Sequence, residues 1–452
     1  NIEIDGVFTY TVRSHVQMAG AGTKYVRTGN NPSSGFSILT LTTGNYYASG
    51  ATKIKDNFWA MFGTPGSFHT NGNNVTANSS LLIAGGTVFV DGGNLNVSGG
   101  TQVGYTLAGN LDISNGSLNT DILNVGDGSK MGIVNHSGGT VNVSGNFLIN
   151  SSCKYNCTNA PVINIGGNWT SNNNTGFDPA NSVVTFSSNA ANQILDGAAV
   201  THNFYTVNIN KAGRIFQPAG SAVTLNINGD LNINQGTFDA GSIANMNIKG
   251  DWKNNAVFNA SASMVQFNGT SEQTISGSAT TTFNKLTINN PGNVKLSGAN
   301  ILINGGSSAF TFTDGKLITG VQKVTLTSNV SIAGAGVTRY VNGILEWGIQ
   351  TGNSTKSFAI GDDAQYTPVS LTFGNVSTVG NITVSTTSGD HTQILSSQLS
   401  EDRSVNRIYT ISNSGVVLVG YNATFNFGGT DVDVIANTND FIVGRYSGGW
   451  SY

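Results

Sequence analysis

The chain has 452 residues and a formal net charge of −3. Charged residues make up 10% of it, against roughly 25% in an average globular domain, and no basic stripe is present, which speaks against a nucleic-acid partner. No run of about 18 apolar residues spans a membrane as a helix, whereas 59 glycines and 38% hydrophobic residues, many alternating with polar ones, indicate a β-rich protein of the cell surface or extracellular space.

Residues 1–75 lack the repeat that dominates the middle of the chain. Residues 9–13 (TYTVR) and 36–42 (FSILTLT) alternate as strands do, and aromatic residues cluster at 56–62 (DNFWAMF). A helical turn would fit the cluster, but we favour a β cap packed over the open end of a repeat domain, because a bare end exposes strand edges and core. A separate small β domain is the alternative. A start at Asn1 fits a processed protein or a fragment.

A recurring phrase marks residues 76–340. In residues 223–234 (VTLNINGDLNIN) apolar residues and asparagines alternate, and a Gly-Asp pair interrupts them. This pattern is typical of short strands joined by a tight turn. The phrase recurs mostly at intervals of roughly 15 to 25 residues, a plausible length for one solenoid turn. Copies lie at 94–99 (NLNVSG), 109–114 (GNLDIS), 140–145 (TVNVSG), 162–166 (VINIG), 246–250 (MNIKG) and 285–289 (KLTIN).

A longer duplication is superimposed on this repeat. Segments 167–169 (GNW), 183–186 (VVTF), 193–197 (QILDG) and 204–210 (FYTVNIN) reappear as 250–252 (GDW), 264–267 (MVQF), 273–277 (QTISG) and 283–289 (FNKLTIN). The offset falls only from 83 residues (167 to 250) to 79 (204 to 283). Because Trp169 and Trp252 occupy matching positions, we predict that both lie in the core.

We therefore predict a parallel β-helix, or β-solenoid, for residues 76–340. Each turn supplies strands that cannot bury their apolar side alone, and stacked turns close a continuous core. Asparagines at equivalent positions are expected to form side-chain ladders, and glycines to occupy the corners. Ordinary antiparallel sandwiches are the alternative explanation of the same alternation.

Two cysteines, Cys153 and Cys157, lie within this region. Their spacing would let a disulfide close a small loop in an oxidising compartment, and we favour this loop staple over two free thiols. Two ligands without a nearby histidine or further cysteine fall short of tetrahedral zinc.

From residue 341 the pattern changes to seven or so strand-like runs, which predict a C-terminal β-sandwich over residues 341–452. The runs are 343–348 (GILEWG), 356–360 (KSFAI), 367–373 (TPVSLTF), 381–385 (NITVS), 407–411 (RIYTI), 423–427 (ATFNF) and 441–444 (FIVG). The sandwich ends abruptly after residues 448–452 (GGWSY), so we expect it to be incomplete.

A missing strand would come from elsewhere. An N-terminal strand that carries Ile2, Ile4, Val7, Tyr10 and Val12 is a candidate donor to the C-terminal domain of a neighbouring copy. Strand addition of this kind would give head-to-tail filaments. Simple truncation of the chain is the rival explanation.

Several phrases of the C-terminal half carry a resemblance to known proteins. They are 339–343 (RYVNG), 357–362 (SFAIGD), 366–369 (YTPV), 404–407 (SVNR) with 409–413 (YTISN), and 441–444 (FIVG). Together with the preceding repeats, they resemble large repetitive surface proteins of Bacteroidota and related phyla, over roughly residues 140–452. The resemblance implies export across the outer membrane by the type IX route, and an adhesin-like or matrix role. The separate sorting domain that usually ends such proteins is not visible in this sequence.

No catalytic constellation is apparent, and we assign no catalytic residue. The five histidines are dispersed, and the nucleophile-elbow, phosphate-loop and zinc-helix motifs are missing. Most acidic residues of 76–340 lie in Gly-Asp or Asp-Gly turns, where aspartate is a common turn former.

Two acidic spots further along the chain are candidates for calcium. They comprise Asp362 with Asp363, and Asp431 with Asp433 and Asp440. Such oxygen-rich loops suit a calcium ion, and Asp431 and Asp433 would share one strand face. Plain solvated turns are the more common outcome. No other cofactor is expected.

These features predict an exported structural or adhesive protein, a rigid β-solenoid stalk without catalysis that associates with itself, with other surface proteins or with glycans. One alternative is a polysaccharide lyase or hydrolase on a β-helix, which needs carboxylates of neighbouring turns to converge in a groove. The other is a non-catalytic glycan-binding module, which would present a platform of exposed aromatic rings.

Overall fold

The computed structural model describes residues 2–3, 15–29 and 34–452, and these residues are almost entirely strand and turn. The helical segments among them are three 3-10 turns, Ile394–Ser396, Gly429–Asp431 and Thr438–Asp440. The chain divides into two compact units, residues 1–263 and residues 264–452. The all-β prediction is confirmed.

The first unit is a succession of strands that range from 2 to 23 residues in length. Its strands are β1 (Ile2–Glu3), β2 (His15–Met18), β3 (Thr23–Arg27), β4 (Ile38–Leu41), β5 (Gly44–Ala48), β6 (Thr52–Ile54), β7 (Phe58–His69), β8 (Val75–Ala77), β9 (Leu81–Val103), β10 (Gly109–Val125), β11 (Gly132–His136), β12 (Thr140–Val143), β13 (Phe147–Ile149), β14 (Lys154–Cys157), β15 (Val162–Ile165), β16 (Trp169–Ser171), β17 (Phe177–Asp178), β18 (Val183–Phe186), β19 (Gln193–Asp196), β20 (Thr201–Phe204), β21 (Thr206–Pro218), β22 (Thr224–Ile227), β23 (Leu231–Asp239), β24 (Asn245–Ile248), β25 (Trp252–Asn254) and β26 (Val257–Asn259).

Strands of successive turns pair in parallel and in register. Leu95 of β9 pairs with Leu118 of β10, which pairs with Val141 of β12, and Val141 pairs with Ile163 of β15. All four side chains are fully buried. The alternation in the sequence is thus an alternation between core and surface, with one apolar column running from turn to turn. This is a parallel β-solenoid, as the repeats predict.

The two repeated tryptophans belong to this core. Trp169 is 1% exposed and Trp252 is 0% exposed. Trp169 packs against Phe147 and Phe177, with ring centroids 4.3 and 4.9 Å away. The prediction that both tryptophans are core residues is confirmed, so neither ring is available as a surface platform.

The expected boundary at residue 75 is absent from the described residues. Strand β2 pairs in parallel with β4, and β4 with β7, in the same manner as the later turns. The aromatic cluster forms part of β7 rather than a helical turn or a lid, and its Phe58 and Phe62 are buried. These rings point into the solenoid because they alternate along a strand. The strand expected at residues 9–13 lies outside the described residues.

Glycine at one corner is required by the stacking of turns. Gly93, Gly116 and Gly139 precede paired strand segments and have φ of 70°, 84° and 77°. A Cβ on Gly116 would lie 2.1 Å from the Gly93 carbonyl oxygen, and one on Gly139 would lie 2.4 Å from that of Gly116. A left-handed backbone and this close approach leave glycine as the residue that fits.

The second unit begins with further parallel pairs and ends with antiparallel sheets. Its strands are β27 (Met264–Phe267), β28 (Gln273–Gly277), β29 (Thr281–Phe283), β30 (Lys285–Asn289), β31 (Val294–Gly298), β32 (Ile301–Ile303), β33 (Phe310–Asp314), β34 (Leu317–Leu326), β35 (Ile332–Ala333), β36 (Val341–Ile349), β37 (Gly352–Phe358), β38 (Ile360–Gly361), β39 (Val369–Thr378), β40 (Gly380–Ser388), β41 (Arg407–Ser414), β42 (Val417–Phe425), β43 (Arg445–Tyr446) and β44 (Trp450–Ser451).

Strand β36 joins the two kinds of sheet in this unit. On one side it pairs in parallel with β34, which continues the pairing of β32 with β34. On the other side it pairs antiparallel with β40, and β40 pairs antiparallel with β41. Val324, Leu345 and Val384 are consecutive partners across these strands, and all are buried. The expected change from parallel to antiparallel sheet at residue 341 therefore falls on β36, which pairs with strands of both kinds.

A second antiparallel sheet consists of β37, β39 and β42. It meets the sheet of β36 at Trp347 and Phe358, whose ring centroids lie 5.5 Å apart. Six of the predicted runs fall in or overlap strands of these two sheets, whereas residues 441–444 form no strand. The sandwich is thus present in part, as antiparallel sheets in contact through buried side chains.

Candidate functional site

A ladder of asparagine side chains runs along the outer surface of the first unit. Asn119 Nδ2 donates to Asn96 Oδ1 at 2.7 Å, Asn142 Nδ2 to Asn119 Oδ1 at 2.7 Å, and Asn164 Nδ2 to Asn142 Oδ1 at 2.8 Å. The four residues belong to β9, β10, β12 and β15 and are direct register partners. The predicted asparagine ladder is confirmed, and in-register stacking is its cause.

This ladder forms one wall of a groove of about 430 Å³. The groove lies beside the chain segments that directly follow the ladder asparagines in successive turns. These segments contribute Asp121, Ser144 and Gly166 to its lining. At Gly166 a Cβ would lie 2.2 Å from the Ser144 carbonyl oxygen, so glycine keeps the bend tight. The remaining lining residues are serine, threonine and valine.

Most residues that line the groove have polar but uncharged side chains. Among the described residues that line it, Asp121 is the sole carboxylate, and none is basic or aromatic. Asp121 Oδ1 accepts a hydrogen bond from Ser144 Oγ at 2.9 Å. Hydrolysis of a glycosidic bond ordinarily uses a pair of carboxyl groups, one as acid and one as base or nucleophile. The groove offers hydrogen-bonding groups and a single acid.

A second, similar ladder lies elsewhere on the first unit. Asn226 Nδ2 donates to Asn203 Oδ1 at 2.8 Å, and Asn247 Nδ2 donates to Asn226 Oδ1 at 2.8 Å. None of these three residues lines the groove. The same side-chain pattern therefore also occurs away from this groove.

An aromatic column occupies another face of the first unit, and the sequence patterns did not reveal it. Tyr47 and His69 stack with ring centroids 4.4 Å apart, and His69 and Phe89 stack at 4.3 Å. His69 Nδ1 lies 2.8 Å from Asp91 Oδ2. Tyr47 and Phe89 cover the two faces of the His69 ring, so neither face is available to a sugar ring. The column differs from the flat platform expected of a glycan-binding module. Its three members are direct register partners on successive turns, 22 and 20 residues apart.

Two histidines are buried inside the first unit. Burial lowers the pKa of His136 from 6.5 to about 4, and it lowers the pKa of His202 from 6.5 to about 4. The Nδ1 atom of His136 lies 2.9 Å from the Tyr155 hydroxyl, which is also buried. These rings are core residues, and neither lies in the groove.

The disulfide expected between Cys153 and Cys157 is not formed. Both cysteines are free and buried. Cys157 ends β14, and four residues of extended chain separate the two Cα atoms by about 13 Å, whereas a disulfide requires less than about 7 Å. Burial raises the pKa of the Cys157 thiol to about 12, as befits a core residue rather than a nucleophile.

Two of the calcium candidates surround an arginine. Arg407 forms two hydrogen bonds with Asp431, Nε to Oδ2 at 2.6 Å and Nη2 to Oδ1 at 2.9 Å. Its Nη1 donates to Asp362 Oδ2 at 2.9 Å. The arginine side chain is 0% exposed, and that of Asp431 is 4% exposed. Burial raises the pKa of Asp362, but hydrogen bonds from the Gln365 backbone and from Arg407 outweigh it and leave this pKa below its ordinary value.

The other calcium candidates have separate local partners. Asp433 accepts hydrogen bonds from the Ser404 backbone and the Asn406 side chain. Asp440 accepts from Asn437, and Asp363 accepts from Asn342. Asp431 ends a 3-10 turn, so it does not share a strand face with Asp433. Within the described ranges no cluster of three or more His, Cys, Asp or Glu side chains is arranged to hold a metal ion; calcium binding stays a prediction.

The antiparallel part of the second unit has two strand edges without a partner strand. Among the described strands, β41 pairs with β40 alone and β42 with β39 alone. Apolar side chains are exposed along these edges: Ile411 is 37% exposed, Val419 81% and Tyr421 52%. Unprotected edges of this kind are templates for pairing with another chain.

The proposed donor strand is described only at its start. Ile2 and Glu3 pair in parallel with Val26 and Arg27 of the same chain. Ile4, Val7, Tyr10 and Val12 lie outside the described residues. Donation of residues 1–12 to a neighbouring copy stays a prediction, and Ile2 would have to leave its present partner to take part.

Comparison with known proteins yields no match: no protein-family model matches the chain, and neither does any curated protein or solved structure. None of the helical segments in the described part of the chain has the length and apolar character needed to cross a membrane.

Proposed function

We propose that this protein is a non-catalytic structural or adhesive protein that acts outside the cell. The proposal rests on one observation, the ladder of hydrogen bonds that outward-facing asparagine side chains form with one another. Asn96, Asn119, Asn142 and Asn164 bond to one another from turn to turn, which favours a rigid scaffold over a reacting centre.

The distribution of acidic groups supports the same proposal. The groove contains the single carboxylate Asp121, and elsewhere in the first unit Asp127 and Asp239 accept hydrogen bonds from their own turns. Further along the chain, Asp362 and Asp431 balance the charge of Arg407. Carboxylates engaged in this way stabilise turns and sheets rather than supply an acid–base pair.

Export is part of the proposal and rests on two sequence features. The scarcity of charge and the abundance of glycine and asparagine suit an extracellular β protein, and residues 140–452 resemble repetitive surface proteins that leave the cell by the type IX route. Association with other chains belongs to the same proposal, since the free edges of β41 and β42 suit strand addition.

Turnover assays test the absence of catalysis. The purified full chain would be incubated with neutral and anionic polysaccharides, and new reducing ends and unsaturated uronates would be measured over a day. We expect no product above a heat-inactivated control. Product formation that disappears in Asp121→Asn but persists in the groove-distant variant Asp239→Asn would overturn the non-catalytic proposal and make the groove an active site.

A further inference from the structure

The chemistry of the groove restricts its ligand. Without a lysine or arginine among the described lining residues, it has no group to neutralise phosphate, sulfate or nucleic acid. Its largest apolar lining residues are Val97 and Val143, and without an aromatic or larger aliphatic side chain it offers no anchoring pocket of the kind that peptides and lipids use. A ligand that satisfies these walls is neutral and rich in hydroxyl groups.

The ladder leaves hydrogen-bonding capacity for such a ligand. A primary amide has two N–H donors and two acceptor lone pairs on its oxygen. Asn119 uses both N–H groups, one toward Asn96 Oδ1 and one toward Ser117 Oγ at 3.1 Å. Asn142 donates one N–H to Asn119 and accepts one hydrogen bond from Asn164. Asn142 therefore retains a second N–H and a second lone pair on the wall of the groove, where a hydroxyl group could both donate and accept.

The spacing of the ladder favours a polymer over a small molecule. Paired strands lie about 4.8 Å apart, so the groove presents one amide per turn at a constant interval. This interval is close to the rise per residue of an extended β-linked glycan. An extended polysaccharide lying along the ladder would pass one amide per turn along its length, with Asp121 and Ser144 at its side.

We propose that this groove is a binding site for a neutral, extended polysaccharide, held by the Asn96–Asn119–Asn142–Asn164 ladder. The inference rests on the proposed non-catalytic role and adds the class of ligand to it. Recognition occurs through hydrogen bonds without ring stacking, so each site binds weakly. Asp121 accepts a sugar hydroxyl and repels a uronic acid, which makes the site selective for neutral glycans.

Fluorescence anisotropy with labelled hexasaccharides tests this inference. The probes are cellohexaose, xylohexaose and mannohexaose, with hexagalacturonate as the anionic comparison. We expect the full chain to bind at least one neutral probe more tightly than hexagalacturonate. Asn142→Ala should weaken that binding about tenfold or more, which corresponds to about 1.4 kcal/mol.

A matched variant separates loss of the site from loss of a ladder. Asn226→Ala breaks the second ladder, outside the groove, and should leave the affinity unchanged. Ser98→Leu replaces an exposed lining residue; it narrows the groove without touching a ladder and should also weaken binding.

Three results would overturn the inference: no neutral probe binds, hexagalacturonate binds best, or Asn142→Ala and Ser98→Leu both bind like the original chain. Mass spectrometry of the hexasaccharide recovered from the binding mixture distinguishes a failure of the proposed non-catalytic function from a failure of the binding site. Shortened products would contradict the non-catalytic role, whereas an intact but unbound probe would contradict the polysaccharide site alone.

Discussion

Two buried histidines make the stability of the first unit depend on pH. His136 and His202 lie in the core, and burial lowers the pKa of each from 6.5 to about 4. The folded chain therefore binds fewer protons than the unfolded chain between pH 6.5 and 4. The contribution of each neutral ring to stability is complete above pH 6.5 and is lost as the pH falls toward 4.

We expect the free energy of unfolding to fall by on the order of 3 kcal/mol per histidine between pH 6.5 and 4. Urea titrations at intervals across this range measure the fall. In His136→Leu the free energy of unfolding should fall less between pH 6.5 and 4, by the contribution of one histidine, because leucine does not bind a proton. Ser98→Ala, at an exposed position, removes no titratable group and is the control that should keep the original pH dependence of stability. An equal pH dependence for the original chain and His136→Leu would contradict the prediction.

At the scale of secondary-structure elements, an ion cluster ties together the ends of the second unit's antiparallel strands. Arg407 begins β41, Asp362 follows β38, and Asp431 closes a 3-10 turn. Their side chains meet although 45 and 24 residues separate the arginine from the two acids. A buried cation held by two carboxylates fixes the positions of three chain segments at once.

Replacement of this arginine should strongly destabilise the second unit. Arg407→Met leaves Asp431 and Asp362 with reduced solvation and no cation, and we expect the free energy of unfolding to drop by about 3–5 kcal/mol. Chemical unfolding followed by tryptophan fluorescence measures it. Lys295→Met, at an exposed strand position, should change stability by less than about 0.5 kcal/mol. Similar small effects of both substitutions would show that the cluster contributes little.

The free edges of β41 and β42 make a separate prediction at this scale. If these edges recruit other chains, a charge on the edge should oppose association. We expect Val419→Lys to lower the average mass in sedimentation velocity, relative to the original chain at equal concentration. Val379→Lys, exposed but outside these two strands, should leave it unchanged. An original chain that stays monomeric at every concentration would contradict association through the edges.

At the scale of the whole molecule, the repeated phrase made much of the architecture predictable. The parallel stacking, the asparagine ladder and the burial of Trp169 and Trp252 all follow from local alternation, since neighbouring turns carry similar residues at equivalent positions. The turns before residue 75 escaped prediction because they share the register but not the phrase. Pairings such as that of Leu39 with Phe58 align different residue types.

Other features depend on distances that the sequence does not contain. The spacing of Cys153 and Cys157 suited a loop, but the residues between them form a strand that holds the two thiols apart. Asp431 and Asp433 suited a cation, but Asp431 is turned toward Arg407. The groove follows from where each turn bends, a property of the stacked turns rather than of any one phrase.

Immunogold electron microscopy of intact cells of the source organism tests the central claim most directly. Antibodies against the folded chain would be applied before and after permeabilisation. An exported structural or adhesive protein should be labelled on intact cells, on their outer surface or on material attached to it, with little added label after permeabilisation. Label confined to the interior of permeabilised cells would contradict the account.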